Sequence, residues 1–327
     1  MLSFREKVFT PAALGAHHRS LIYKKSRHPI LLNDPGVTVT MANDEEIKLR
    51  PMERWDKPNK RRSLRQIADI LGRSHDHIIW GNLIPFLEGM KQSHEKVPDS
   101  FLEKITRKAN EVGKAGIIIR CAEMAGTTGV SLGMPAVTRE LFLGCHNRSA
   151  DAGFKGPVLE KAAAQAEHMS LMLEEKVHCG GDLNATGRPD MRRSPTVLGV
   201  LLEMAAAKAQ NTAGGKDIDG KVASYVIKSL ALTHDGVQDS VLTLTDREGS
   251  AAELDSSSRH LENLLPLWNG LKLASQVDGI TESKIGAELS ARLQTVEQEV
   301  QAAAEKVKRL ASGKPRRALQ MYEQLQR

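Results

Sequence analysis

Two adjacent pairs of metal-binding side chains, Cys145-His146 and His178-Cys179, with Cys121 able to join them, are the first places in this 327-residue chain where chemistry could reside. Structural zinc sites set paired ligands two to four residues apart in a tight knuckle, so that both donors converge on one ion. Adjacent side chains diverge instead, and His146 and His178 stand 32 positions apart. This spacing predicts buried or idle thiols, with no metal and no cofactor. Three widely spaced cysteines also make no disulfide framework, which fits a reducing compartment. The glycine-rich stretches GTTGVSLG (126–133) and HCGGDLNATG (178–187) lack the Gly-Lys-Ser/Thr and the strand–turn–helix setting of a phosphate loop. Neither a Gly-x-Ser-x-Gly elbow nor a His-Glu-x-x-His helix occurs, and Asp76-His77 has no partner at fixed geometry. Catalysis is not expected. A triad assembled only in space would escape such a search, which keeps an enzyme of helical fold as a third class.

Phosphate contact is the chemistry that remains. Lys24, Lys25 and Arg27 form one basic cluster; Lys57, Lys60, Arg61, Arg62, Arg65 and Arg73 form a second; Lys314, Arg316 and Arg317 form a third. Guanidinium forks match phosphate oxygens in shape and charge, and each neutralised phosphate releases condensed counterions. These residues are the candidate RNA-binding set. Tyr23 and Trp55 lie beside them and could stack on bases, but packing on the body is the expected fate of Trp55. Aromatic residues make up only 4% of the chain, too few for a dedicated single-strand stacking platform. Phosphate and shape contact is therefore expected over sequence reading.

The second cluster leads into SLRQIADILGRSHDHIIWGNL (63–83), which has the outline of a bacterial helix-turn-helix. Ser63 would cap the first helix, Ile67, Leu71 and Ile78 would form the seam, Gly72 would take the turn, and Ser74 would cap the second helix. Gly81 stands where the seam needs a branched apolar residue, Asp76 would meet phosphate, and the apolar second helix offers no polar reading face. A structural helical hairpin is expected here rather than a DNA reader.

The elements that must position these groups are helical. Good helix formers dominate and β-branched residues seldom alternate, which predicts an all-α fold, an irregular helical-hairpin array of solenoid- or bundle-like form. No fixed repeat period is found. Helices are predicted over 78–90, 99–124, 136–143, 157–177, 195–210, 221–233 and 260–274, with a minority reading of 237–245 as a strand. Leu289, Leu293, Val296, Val300, Ala303, Val307 and Leu310 step by 4 and 3, a heptad seam. The helix carrying it should start near Thr281, stop at Gly313 and Pro315, and run about 45–50 Å. Its seam suits packing on another surface as well as self-dimerisation.

Prolines 29, 35, 51 and 58 read residues 28–62 as an extended arm. The chain thus divides into a basic arm (1–62), a helical body (63–278), and a long helix with a basic tail (279–327). Its net charge of +6 is uneven: 15 Lys/Arg against 8 Asp/Glu over 1–73, 24 against 30 over 74–304, and 7 against 2 over 305–327. An acidic body lies between two basic ends. Apolar runs such as 117–119 are too short to span a bilayer. Residues 1–33 hold six Lys/Arg, three His and one acid, Glu6, with hydroxyls at Ser3, Thr10, Ser20 and Ser26. That composition is similar to a mitochondrial presequence, from which Pro11 departs by breaking a long amphipathic helix.

This layout, a basic arm containing WDKPNKRR, a helical body, a long C-terminal helix and a basic tail, resembles fungal-type mitochondrial ribosomal proteins, most closely those of the large subunit. The resemblance implies a structural component of the mitochondrial ribosome in the matrix. It would hold ribosomal RNA through its basic ends and other mitochondrial ribosomal proteins through its acidic body, with no membrane span and no small-molecule substrate. The alternative reading is an organellar nucleic-acid-binding regulator, either a helix-turn-helix DNA binder or an RNA-processing or translation factor.

Overall fold

The computed structural model describes residues 1–41, 44–179, 190–212, 214–232 and 251–326. The strand reading of 237–245 and most of the second glycine-rich stretch lie outside these residues. The described chain is an all-α helical array with one short hairpin. Its packing forms two units, Met1–Val130 and Ser131–Arg327, so the divisions drawn after residues 62 and 278 fall inside units.

In the first unit, residues 1–62 are short elements folded upon themselves. Leu2–Phe4, Arg5–Phe9 and Thr10–Ala13 make one helical run whose middle segment is π-helical, with Pro11 accommodated in the short last segment. Phe4 and Phe9 stack on Phe86 with ring centroids 5.4 and 5.9 Å away. Helix α1 (Ala16–Tyr23) and the antiparallel hairpin of β1 (Thr38–Thr40) and β2 (Glu46–Lys48) follow. Leu14, Leu21, Ile22, Leu31 and Leu49 close a small core here. The prolines argued for extended backbone, but these five side chains supply enough apolar surface to fold the segment back. The unit continues with α2 (Lys60–Arg73), α3 (Leu83–Gln92), α4 (Asp99–Glu111) and α5 (Ala115–Glu123). What reads as one helix over 99–124 is two, because Gly113 adopts φ +71° and ends the first in a left-handed turn. Lys91 Nζ donates to the carbonyls of Ala125 and Gly126 at 2.9 and 2.6 Å, adding to the left-handed cap in which Gly129 N donates to Ala125 O at 3.0 Å.

The second unit holds α6 (Pro135–Asp151), α7 (Gly156–Met172), α8 (Pro195–Thr212), α9 (Lys221–Ala231), α10 (Ala251–Ala274), α11 (Gly286–Ala311) and α12 (Arg317–Leu325). Helices α8 and α10 cross so closely that a Cβ on Gly199 would stand 2.5 Å from Leu267 N, and one on Gly270 2.9 Å from Gly199 O. Helix α11 buries Leu289, Val296, Val300, Ala303 and Val307 in the core that α10 shares, with Leu293 and Leu310 partly buried against it. The heptad seam is thus used within the chain. At 26 residues the helix is about 39 Å long. It ends where Ser312 and Gly313 turn left-handed. The predicted basic tail is itself largely helical: α12 buries Ala318 and Met321 and sets Tyr322 6.1 Å from Trp268.

Two helices run further than their sequence suggests, and both carry polar residues inside. Helix α6 reaches Asp151 with Glu140, His146 and Ser149 buried, and α10 begins at Ala251 with Ser257 and Ser258 buried. Ser258 Oγ donates to Leu254 O at 2.7 Å, which hides the hydroxyl along the helix. Glu140, wholly buried, accepts from Arg139 Nη2 and Arg317 Nη1, each at 2.8 Å, while Arg139 Nη1 reaches Glu262 at 3.2 Å. Glu203 is held by His146 Nδ1 at 2.8 Å and by Asn269 Nδ2 at 2.5 Å. Burial raises the Glu203 carboxyl above its ordinary range, against the pull of His146.

Candidate nucleic-acid interface

Helix α2 starts at Lys60, three residues before the expected cap at Ser63, because Asn59 Oδ1 accepts the N–H of Arg62 at 3.0 Å. Its apolar stripe, Leu64, Ile67, Ala68 and Leu71, is buried. The helix against which it packs is α4, not the segment that follows it. Gly72 does not take a turn: it lies in the helix, where a Cβ would come within 2.7 Å of Lys108 Cδ on α4. The chain turns at Ser74–Asp76 instead, and Asp76 Oδ1 caps the short helix His77–Gly81 by accepting from Ile78 N at 2.8 Å. Ile78, expected in the seam, is 77% exposed; Trp80 is buried in its place, its Nε1 donating to Ser74 O at 2.9 Å. The helix-turn-helix outline is therefore not a two-helix unit. A neighbour from later in the chain outcompetes the adjacent segment for the apolar stripe.

The opposite face of α2 carries Arg61, Arg62, Arg65 and Arg73, all exposed. Residues three and four apart on a helix share a face, so these guanidinium groups present together. Among the described residues, none of the four forms an ion pair, and Lys57 just upstream is also exposed and unmatched. The lone acid of the helix, Asp69, is occupied by Lys104 Nζ at 2.8 Å. That hydrogen bond holds its carboxyl below the usual range, helped by the charges of Arg73 and Arg65. Asp69 thus offsets Arg65 and Arg73 in part, and Arg61 and Arg62 are the arginines it does not reach. The first turn holds Lys60, Arg61 and Arg62 and no acid, against the helix dipole, a cost of about 0.3–1 kcal/mol per charge. Lys60 is relieved by Glu95 at 3.0 Å; the two arginines are not. An anion arriving at this end would reverse the penalty.

The other candidates are placed differently. Lys24 is exposed, Arg27 Nη1 donates to Ser20 Oγ at 2.6 Å, and Lys25 meets Glu53 at 3.3 Å and stands 5.7 Å from the Trp55 ring centroid. Trp55 does not pack on the body: it is 75% exposed. Its neighbours Asp56, Lys57, Pro58, Asn59 and Lys60 offer no apolar partner, which was the available signal in the sequence. In the second unit Lys314 is exposed, whereas Arg316 pairs with Asp255 at 3.1 Å and Arg317 with buried Glu140.

The cysteine and histidine pairs are absorbed by the fold. Burial raises the Cys145 thiol and pushes Cys121 up to about 12, His146 engages Glu203, and His178 Nδ1 accepts from Leu132 N at 3.2 Å. Among the described residues no three His, Cys, Asp or Glu side chains gather to hold a metal, and no helix is long and apolar enough to cross a membrane.

No curated relative matches the chain. Residues 1–324 match the family described as mitochondrial ribosomal protein mS27. This is a family of the small subunit, which corrects the large-subunit expectation: basic ends and a helical body suit either subunit, and nothing in them distinguishes one from the other. With an all-α body, an arginine-faced helix and a family match along nearly its whole length, the chain belongs to the mitochondrial ribosomal protein mS27 family, structural components of the mitochondrial small ribosomal subunit.

Proposed function

We propose that this protein is held on the RNA of the small subunit, in the mitochondrial matrix, by the cationic face of α2, with Lys57 and Lys24 extending that contact and Lys314 supplying a second point. The observation that carries the reading is the cluster of exposed, unmatched guanidinium groups at Arg61, Arg62, Arg65 and Arg73, set at the positive end and along one face of a single helix. Arg61 and Arg62, in the first turn, oppose the helix dipole, and a bound anion would relieve that cost. The acidic body, 24 Lys/Arg against 30 Asp/Glu over 74–304, suits docking of neighbouring ribosomal proteins, whose surfaces are commonly basic. A regulator that reads DNA is disfavoured, because the second helix of the outline is too short and too apolar to present a reading face. The test is sedimentation of tagged protein from mitochondria through a gradient at low, near-physiological salt, where phosphate contacts persist. The wild type should travel with the small subunit in stoichiometric amount, and the Arg61→Glu/Arg62→Glu/Arg65→Glu variant should shift toward the top. Free migration of the wild type, or a variant that travels normally, would overturn the proposal.

A further inference from the structure

Trp55 is 75% exposed, whereas Trp80 is fully buried and Trp268 is 6% exposed. An indole can bury about 150–250 Å², so leaving one in water forgoes a large stabilisation. Nor is this indole on a loose segment. It sits on the tight turn Arg54–Asp56, locked by reciprocal capping in which Glu53 N donates to Asp56 Oδ2 at 2.8 Å and the Glu53 carboxylate accepts from the turn backbone. Lys25, tied to Glu53 at 3.3 Å, holds its ammonium over one face of the ring, 5.7 Å from the centroid, as a cation–π contact. Among the described residues the indole N–H has no partner. Lys57, Arg61 and Arg62, exposed and unmatched, follow within seven residues. A flat π surface on a rigid turn, with cations beside it, complements a nucleobase and its phosphates. Arg54, Asp56, Lys57 and Lys60 lie close to it in the sequence, so the surroundings of the indole are rich in charge.

We infer that an unpaired base of ribosomal RNA stacks on the face of the Trp55 indole opposite Lys25, with Lys57 and the first turn of α2 on the flanking phosphates. This is one stacking post rather than a platform, and it rests on the reading that α2 faces RNA. The full-length protein is titrated with a 12-nucleotide oligouridylate and, separately, a 12-base-pair RNA duplex, following intrinsic tryptophan emission and affinity. Since the other two tryptophans are buried, quenching by a stacked base reports Trp55. Oligouridylate should quench the wild type; Trp55→Leu should abolish the quench and weaken oligouridylate binding about tenfold, with duplex affinity and salt dependence unchanged. Trp55→Phe should recover most of the affinity. If the wild type binds neither probe, the RNA reading and the stack fall together. If Trp55→Leu binds oligouridylate as the wild type does, the stack alone is refuted and a neighbouring protein becomes the occupant of the indole.

Discussion

Replacing Arg61, Arg62 and Arg65 by Gln removes three of the five exposed, unmatched cations formed by Lys57, Arg61, Arg62, Arg65 and Arg73. Each phosphate engaged on a single strand contributes about −0.7 to the slope of log affinity against log salt. Five contacts give a slope of about −3.5, or a loss of roughly 130-fold in affinity between 50 and 200 mM salt. Two contacts give about −1.4, and a loss of only about sevenfold. The assay is anisotropy of a labelled oligouridylate across that salt range. Arg317→Gln is the internal control, because its charge is matched by buried Glu140 at 2.8 Å. It should leave the slope unchanged while lowering stability by about 1.5–3 kcal/mol, the worth of a hydrogen bond to a charged group. A triple variant with the wild-type slope would show that the exposed face of α2 does not meet phosphate. A slope that falls equally in Arg317→Gln would show that fold integrity, not the cationic face, governs binding.

Two further outcomes follow from packing and burial. Gly199→Ala should destabilise by about 2 kcal/mol, since overpacking against backbone costs up to about 3 kcal/mol and better helix propensity returns about 1. Thermal unfolding followed by circular dichroism should fall by about 4–8 °C. Gly116→Ala, in a helix with nothing within 4 Å of the new methyl, should raise stability by up to about 1 kcal/mol, so that equal signs for the two would refute the crossing geometry. Iodoacetamide at pH 8 should modify Cys179 alone in the folded protein: Cys121 and Cys145 are buried, and a thiol pushed up to about 12 stays protonated there. Mass spectrometry showing native modification of Cys121 would contradict its burial.

The all-α class and most helices were legible because they rest on local periodicity and propensity. The heptad face of α11 was read nearly residue by residue, since one apolar stripe on a long helix leaves little choice. The errors have a common physical origin in side chains whose fate is decided by distant partners. Glu140, His146, Ser257 and Ser258 look like surface residues, yet each is buried by hydrogen bonds to Arg317, Glu203 or the helix's own backbone, or by packing. The seam of α2 was correct as a stripe and wrong in its partner, because nothing local says that α4 will arrive to cover it. Among the candidate basic residues, type and clustering were visible in the sequence. Which of them are neutralised internally, as Arg316 and Arg317 are, depends on acids far along the chain.

The clasp between Glu140 and Arg317 spans 177 positions, and this has a consequence for synthesis. A carboxylate destined for a dry interior lacks the Arg317 guanidinium until residue 317 is in place, and α12 must also arrive to bring Tyr322 to Trp268. The first unit closes with residues no later than Val130 and needs nothing from the end of the chain to do so. The second unit cannot finish until nearly its last helix exists. A chain cut before Arg317 should therefore complete its first unit and leave its second unfinished.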